Sequence, residues 1–167
     1  MAIHRAMNRL RHAVRKLRPV RHPHQFFTRA EQHRIVAAIQ DAEHQTSGEI
    51  RVHVEGHCPG DAYARAREVF ANLGIHRTKQ RNGTLIYLAV KDRKFAVVGD
   101  EGIHAVVPAG FWDAVRDAMA DDFRRGRFCQ GVCDGIAAIG QHLKAYFPWT
   151  PTDRDELSDA ISTGDAE

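Results

Sequence analysis

The chain has 167 residues, 43% hydrophobic and 27% charged, and a formal net charge of +3. That length suits one domain whose core needs neither disulfide nor metal to hold it, and no apolar run approaches the roughly 18 residues of a membrane span. The three cysteines, Cys58, Cys129 and Cys133, include no CxxC pair, which argues against a disulfide framework or a zinc knuckle and for reduced thiols in a cytoplasmic protein.

The charge is unevenly spread. Residues 1–25 carry seven Lys/Arg and no acid, leaving 17 Lys/Arg against 21 Asp/Glu in the rest. The chain therefore reads as a mildly acidic domain behind a basic arm, and the overall charge does not imply nucleic acid. Within the arm, Ile3, Met7, Leu10, Val14 and Leu17 recur at spacings of four and three. That puts an apolar stripe on one side of a basic amphipathic helix, suited to an anionic membrane surface or a protein partner. Pro19 and Pro23 end it in a linker. No continuous apolar stretch follows the charges, so a cleaved secretory signal is not expected. The location expected is cytoplasmic, with residues 1–25 read either as a solvated N-terminal extension or as an arm that lies on a membrane surface or a partner.

The folded part is expected over residues 26–148, with a polar tail, loose or packed on the surface, over 149–167. Thr28-Arg-Ala-Glu31 is a capping box, and Ile35, Ala38, Ile39 and Ala42 continue a helical face to about Gln45. In Glu49–Glu55, Ile50, Val52 and Val54 alternate with Glu49, Arg51, His53 and Glu55, the pattern of a strand with one buried face. Asp61 is placed to cap a helix from about Ala62 to Leu73, which Gly74 ends. Two apolar strands follow, Thr84–Val90 and Lys94–Gly99, joined by a short polar turn into an antiparallel hairpin. The helix between the first two strands makes those two parallel. Gly99-Asp100-Glu101-Gly102 reads as a turn, and two helices are predicted over about 110–123 and 130–147. The sum is a three-layer α/β/α sandwich: a small mixed sheet with helices on both faces. A monomer is expected rather than an obligate oligomer.

The order and spacing of several segments resemble the TPM-domain family, which includes a thylakoid-lumen protein of plants and many bacterial proteins. The resemblance runs from about Phe26 to Pro148. It rests on Ser47-Gly48-Glu49-Ile50, Arg81-Asn82-Gly83-Thr84-Leu85-Ile86, Asp92-Arg93, Val98-Gly99-Asp100 and Phe123-Arg124-Arg125-Gly126. The chain looks like the short branch of the family without a signal peptide or membrane helix. The resemblance implies an α/β/α fold and divalent metal binding, with calcium the expected ion. It also implies a phosphatase activity of the kind attributed to plant members, or a role in photosystem repair or membrane-complex assembly.

Strand direction decides which acids can cooperate. Ligands of open α/β sheets favour the crevice beyond the carboxyl ends of the strands. Asp92, in the hairpin turn, lies at that end, with Asp61, Glu55 and His57 as neighbours. These are hard oxygen ligands suited to calcium or magnesium, although Asp92-Arg93 is also ordinary turn chemistry. About 20 Å away along a six-residue strand, Glu49, Asn82, Asp100 and Glu101 form a second, less favoured cluster, which Arg81 can instead neutralise. No GxSxG, HExxH, Walker or Cys-x₅-Arg motif is present. Phosphate ester hydrolysis would need a metal-activated water, with Arg93 or Lys94 neutralising phosphate. Zinc at His53, Glu55 and His57 is disfavoured by the ligand spacing. The competing reading is a non-enzymatic interaction or assembly module.

Overall fold

The computed structural model describes residues 26–153 and 155–164. Thr28 opens helix α1 (Arg29–Glu43). Its hydroxyl accepts from the Glu31 amide at 3.1 Å, and the Glu31 carboxylate accepts from the Thr28 amide at 2.8 Å. Two donors that the helix start would leave orphaned are thereby satisfied, a gain of about 1 kcal/mol. Then follow β1 (Glu49–Glu55), α2 (Ala62–Asn72), β2 (Gly83–Ala89), β3 (Lys94–Gly99), α3 (Glu101–His104), α4 (Asp113–Arg124), α5 (Phe128–Leu143) and β4 (Ser162–Gly164).

The sheet has the order β3-β2-β1-β4. β1 and β2 run parallel, with Glu49 opposite Gly83 and Glu55 opposite Ala89. β2 and β3 form the expected antiparallel hairpin, Thr84 opposite Gly99. Because side chains alternate along a strand, the sheet feeds two cores. Ile50, Val52, Val54, Ile86, Leu88 and Val97 pack under α1, α4 and α5. Leu85, Tyr87, Ala89, Ala96 and Val98 pack under α2. This is the α/β/α sandwich that the pattern of elements calls for.

Three features depart from the sequence reading. The polar side of β1 is not open: Glu49, His53 and Glu55 are each under 10% exposed, covered by α2 and by the chain after Pro148. The tail supplies β4, parallel to β1 with His53 opposite Ser162. Finally, Asp100 belongs to no simple turn; its carboxylate accepts from the Glu101 amide at 2.7 Å and caps α3. Gly102 is obligatory there, because a Cβ would collide with the carbonyl oxygens of Gln80 and Arg81. Among the described residues no helix is long and apolar enough to cross a membrane. The amphipathic arm lies outside the described residues.

Candidate functional site

At the carboxyl end of the sheet, Asp92 ties the hairpin turn to the β1–α2 loop. Its carboxylate lies 3.0 Å from His57 Nδ1 and accepts from the Cys58 amide at 2.6 Å. Hydrogen bonding from His57, then from Cys58, holds the Asp92 carboxyl below the usual carboxylate range. The Lys94 ammonium donates to the carbonyls of Cys58 and Gly60, both at 2.8 Å. Asp61 caps α2 by accepting from the Ala64 amide at 2.9 Å. Glu55, His57 and Asp61 line one cleft of about 390 Å³, and Asp92 is not part of its lining. Among the described residues, Asp92, Asp61 and Glu55 do not bring their ligand atoms within 4.8 Å of one another.

Glu55 has its own set of partners. Arg65 donates to both of its oxygens, at 2.5 and 3.2 Å, and the Tyr87 hydroxyl donates at 2.6 Å. His53 Nε2 lies 3.2 Å away, and its Nδ1 is 2.9 Å from the Ser162 hydroxyl on β4. Burial opposes the carboxylate charge, but Arg65, Tyr87 and His53 together hold the Glu55 carboxyl below its ordinary value. Burial pushes the Tyr87 hydroxyl up and the His53 imidazole down. A buried charge is tolerated only when paired and hydrogen-bonded, and here every acceptor has a donor.

At the amino end, Arg81 closes on Asp100 with two hydrogen bonds, at 3.0 and 3.2 Å, and reaches Glu101 at 3.6 Å. Asp100 is 4% exposed, so the guanidinium neutralises it where it is buried, as the sequence allowed. Asn82 donates to the Ser47 hydroxyl at 3.3 Å. Glu49 turns away from this pair: one oxygen accepts from the Glu156 amide of the tail.

The Glu49 side of this end holds what the sequence reading missed. A cleft of about 360 Å³ runs between the last turn of α1, the Thr46–Glu49 segment and the tail. Its walls include Glu43, Glu49, Asp153, Asp155 and Asp159, and no lysine or arginine. Glu43, Asp155 and Asp159 each place one ligand oxygen within 4.8 Å of the others, alone among the described residues in doing so. Burial raises Glu43 to about 9, with Asp159 adding repulsion and the Ile50 amide, a 2.9 Å donor, opposing the rise. Burial likewise raises Glu49 to about 7 and Asp155 in the same direction. Two buried carboxylate oxygens, Glu49 Oε2 and Asp159 Oδ1, have no hydrogen-bond partner. One signal was visible beforehand: Glu43 sits in the last turn of α1, where the helix dipole disfavours an acid. The crowding of Asp153, Asp155, Glu156 and Asp159 in a short tail was another.

Comparison with known families matches residues 20–142 to the TPM domain. The chain belongs to the TPM-domain family. Among solved structures, the TPM chain is similar to the BA42 protein of the psychrophilic bacterium Bizionia argentinensis. The two share 49% identity and a TM-score of 0.80, over 84% of this chain and 97% of that one. The N-terminal domain of a P. gingivalis protein shares the fold at 19% identity and TM-score 0.61, over 74% of this chain and 80% of its own. The N-terminal domain of the cg2496 protein of Corynebacterium glutamicum does so at 15% identity and TM-score 0.57, over 85% and 81%. A search of curated proteins finds no match.

Proposed function

We propose that this TPM domain binds a divalent cation, calcium, in the cleft between α1 and the tail. The observation that carries the reading is the convergence of Glu43, Asp155 and Asp159 to within 4.8 Å. The residues fit the ion. The donors are all hard oxygens, and like charges this close cannot all stay ionised without a counter-charge. Glu49 Oε2 and Asp159 Oδ1 are buried acceptors without a hydrogen-bond donor, although Arg51 attracts Asp159 from alongside. Carboxylates arriving from a helix end, a strand start and a tail form an adaptable cage, which suits calcium better than the strict octahedron of magnesium.

Binding without turnover is the form the geometry favours. The acid cleft has no lysine or arginine in its described walls to neutralise a phosphate. Arg93 and Lys94, the candidates for that task, stand at the other end of the sheet, about 20 Å along β1, and the Lys94 ammonium is already bound by two carbonyls.

A calcium titration followed by amide NMR tests the proposal, with magnesium as comparison. Saturable shifts at Glu43, Thr46–Glu49 and Asp153–Asp159 are expected. Shifts centred on Asp92 and Asp61, or spread evenly over all acids, would overturn it. Phosphatase assays on the calcium-loaded protein are expected to show no turnover.

A further inference from the structure

The carboxyl end of the sheet carries a groove that neither the acid cleft nor the family assignment uses. Its volume is about 550 Å³, within the range of small-molecule sites. It lies beyond the ends of β2 and β3 against the α4–α5 connector, the end where open α/β sheets take their ligands. Its walls are hydrocarbon. Leu88 and Ala89 of β2, with Val90 just after it, meet four aromatic rings that are only partly buried. Phe26 packs edge-on to Phe128 at 5.4 Å, Phe95 edge-on to Phe123 at 5.0 Å, and Phe123 stacks on Phe128 at 5.8 Å. The rings come from separate segments and brace one another, so this apolar surface is preformed.

The rim is basic. Arg93 and Arg124 are both exposed and line the groove, and no acid does. Neither makes an ion pair among the described residues. The neighbouring acids are engaged elsewhere: Asp92 by His57 and Cys58, Asp121 by Arg125. Arg93 stands at φ 54°, a left-handed backbone that costs a non-glycine residue about 1–2 kcal/mol.

We propose that this groove binds a single-chain aliphatic carboxylate, its chain on the four rings and its head between Arg93 and Arg124. The guanidinium fork matches a carboxylate. A peptide is disfavoured because its backbone amides would face walls whose side chains offer no acceptor, and burying them unpaired is costly.

The test uses the full-length protein in calcium-free buffer, where no calcium soap forms and the acid cleft plays no part. Dodecanoate, kept below its micelle concentration, is titrated against the ¹⁵N-labelled chain. Acetate, octyl glucoside and dodecyltrimethylammonium serve as controls. Saturable shifts at Phe26, Leu88–Phe95 and Phe123–Phe128 are expected with dodecanoate only. The double variant Arg93→Gln/Arg124→Gln changes exposed side chains, and its unchanged spectrum elsewhere reports folding. It is expected to bind at least about tenfold more weakly, the loss of one or two charge-assisted contacts. The proposal is overturned if dodecanoate gives no saturable shifts, if the cationic amphiphile binds as well, if the double variant binds equally, or if an acidic aromatic peptide displaces dodecanoate at lower concentration.

Discussion

Calcium binding in the Glu43 cleft should release protons, and the number released is a direct reading of the site. Glu43 titrates at about 9 in the folded chain. At pH 7 it is therefore almost wholly protonated, and ionising it to meet a cation costs two pH units, about 3 kcal/mol or a factor of about 100. Calcium must displace that proton. Its apparent affinity should rise about tenfold per pH unit between 7 and 9 and level off above, since one proton leaves per ion bound. Below pH 7, Glu49, which titrates at about 7, adds a second proton and the slope approaches two. Calorimetric titrations at pH 6.5, 7.5 and 8.5, each in two buffers of different ionisation enthalpy, count these protons independently of the affinity. The substitution Glu43→Gln keeps an oxygen for the Ile50 amide but removes the charge. It should weaken calcium binding at pH 9 and abolish the slope between pH 7 and 9. An affinity independent of pH, with no proton released, would refute the assignment of Glu43 as a ligand.

Further outcomes follow from the same geometry. Without metal, the folded chain holds a proton on Glu43 that the unfolded chain loses above its ordinary value of 4.5. The Glu43 contribution to stability should therefore fall as pH rises from about 4.5 to 9, opposite in sign to that of buried His53 below about 6.5, and calcium should restore it most at the alkaline end; the difference between urea melts of the chain and of Glu43→Gln across that range checks the sign. Tyr87→Phe removes the 2.6 Å hydroxyl donor to Glu55 and leaves Arg65 and His53 in place. A loss of about 2 kcal/mol and a Tm about 4–8 °C lower are expected; a change under about 1 °C would show that Glu55 does not depend on that bond. Calcium should slow amide exchange across residues 155–164, because two ligands sit just ahead of β4; equal exchange with calcium and with chelator would separate tail docking from the metal.

The fold was legible because its local signals agree with one another. The capping box at Thr28, the alternation of β1, the Asp61 cap and the doubly apolar β2 each specify an element and its boundary within a residue or two. The site was less legible because its members are joined only by tertiary structure. β4 is three residues of Ser-Thr-Gly with no strand signal of its own, held by pairing to β1 and by the His53–Ser162 contact. Without that strand, nothing in the sequence places Asp155 and Asp159 beside Glu43. The alternation of β1 also suggested an open polar face, whereas His53 and Glu55 of that face pair beneath α2 and β4, and Glu49 is buried beneath the tail.

Pairing divides further the two acidic clusters that the sequence reading places at opposite ends of the sheet, parting Asp92 from Glu55 and Asp100 from Glu49. Asp92 is met by His57 and a backbone amide, Asp100 by Arg81, and Glu55 by Arg65, Tyr87 and His53. Donors answer each of these acids, and the Asp92 and Glu55 carboxyls are held below their ordinary values. Glu43, Glu49, Asp155 and Asp159 differ because they crowd together with few donors: the Ile50 and Glu156 amides each meet one carboxylate, and Arg51 attracts Asp159. Their carboxyls are raised where raised values are resolved, and buried oxygens stay unpartnered. A fold gains nothing in its own stability by crowding like charges, so an acid cluster left short of donors is the part of this surface that a cation would complete. The basic-rimmed groove at the opposite end is its complement in charge. The two proposed sites would therefore take ligands of opposite sign, so each could be titrated without occupying the other.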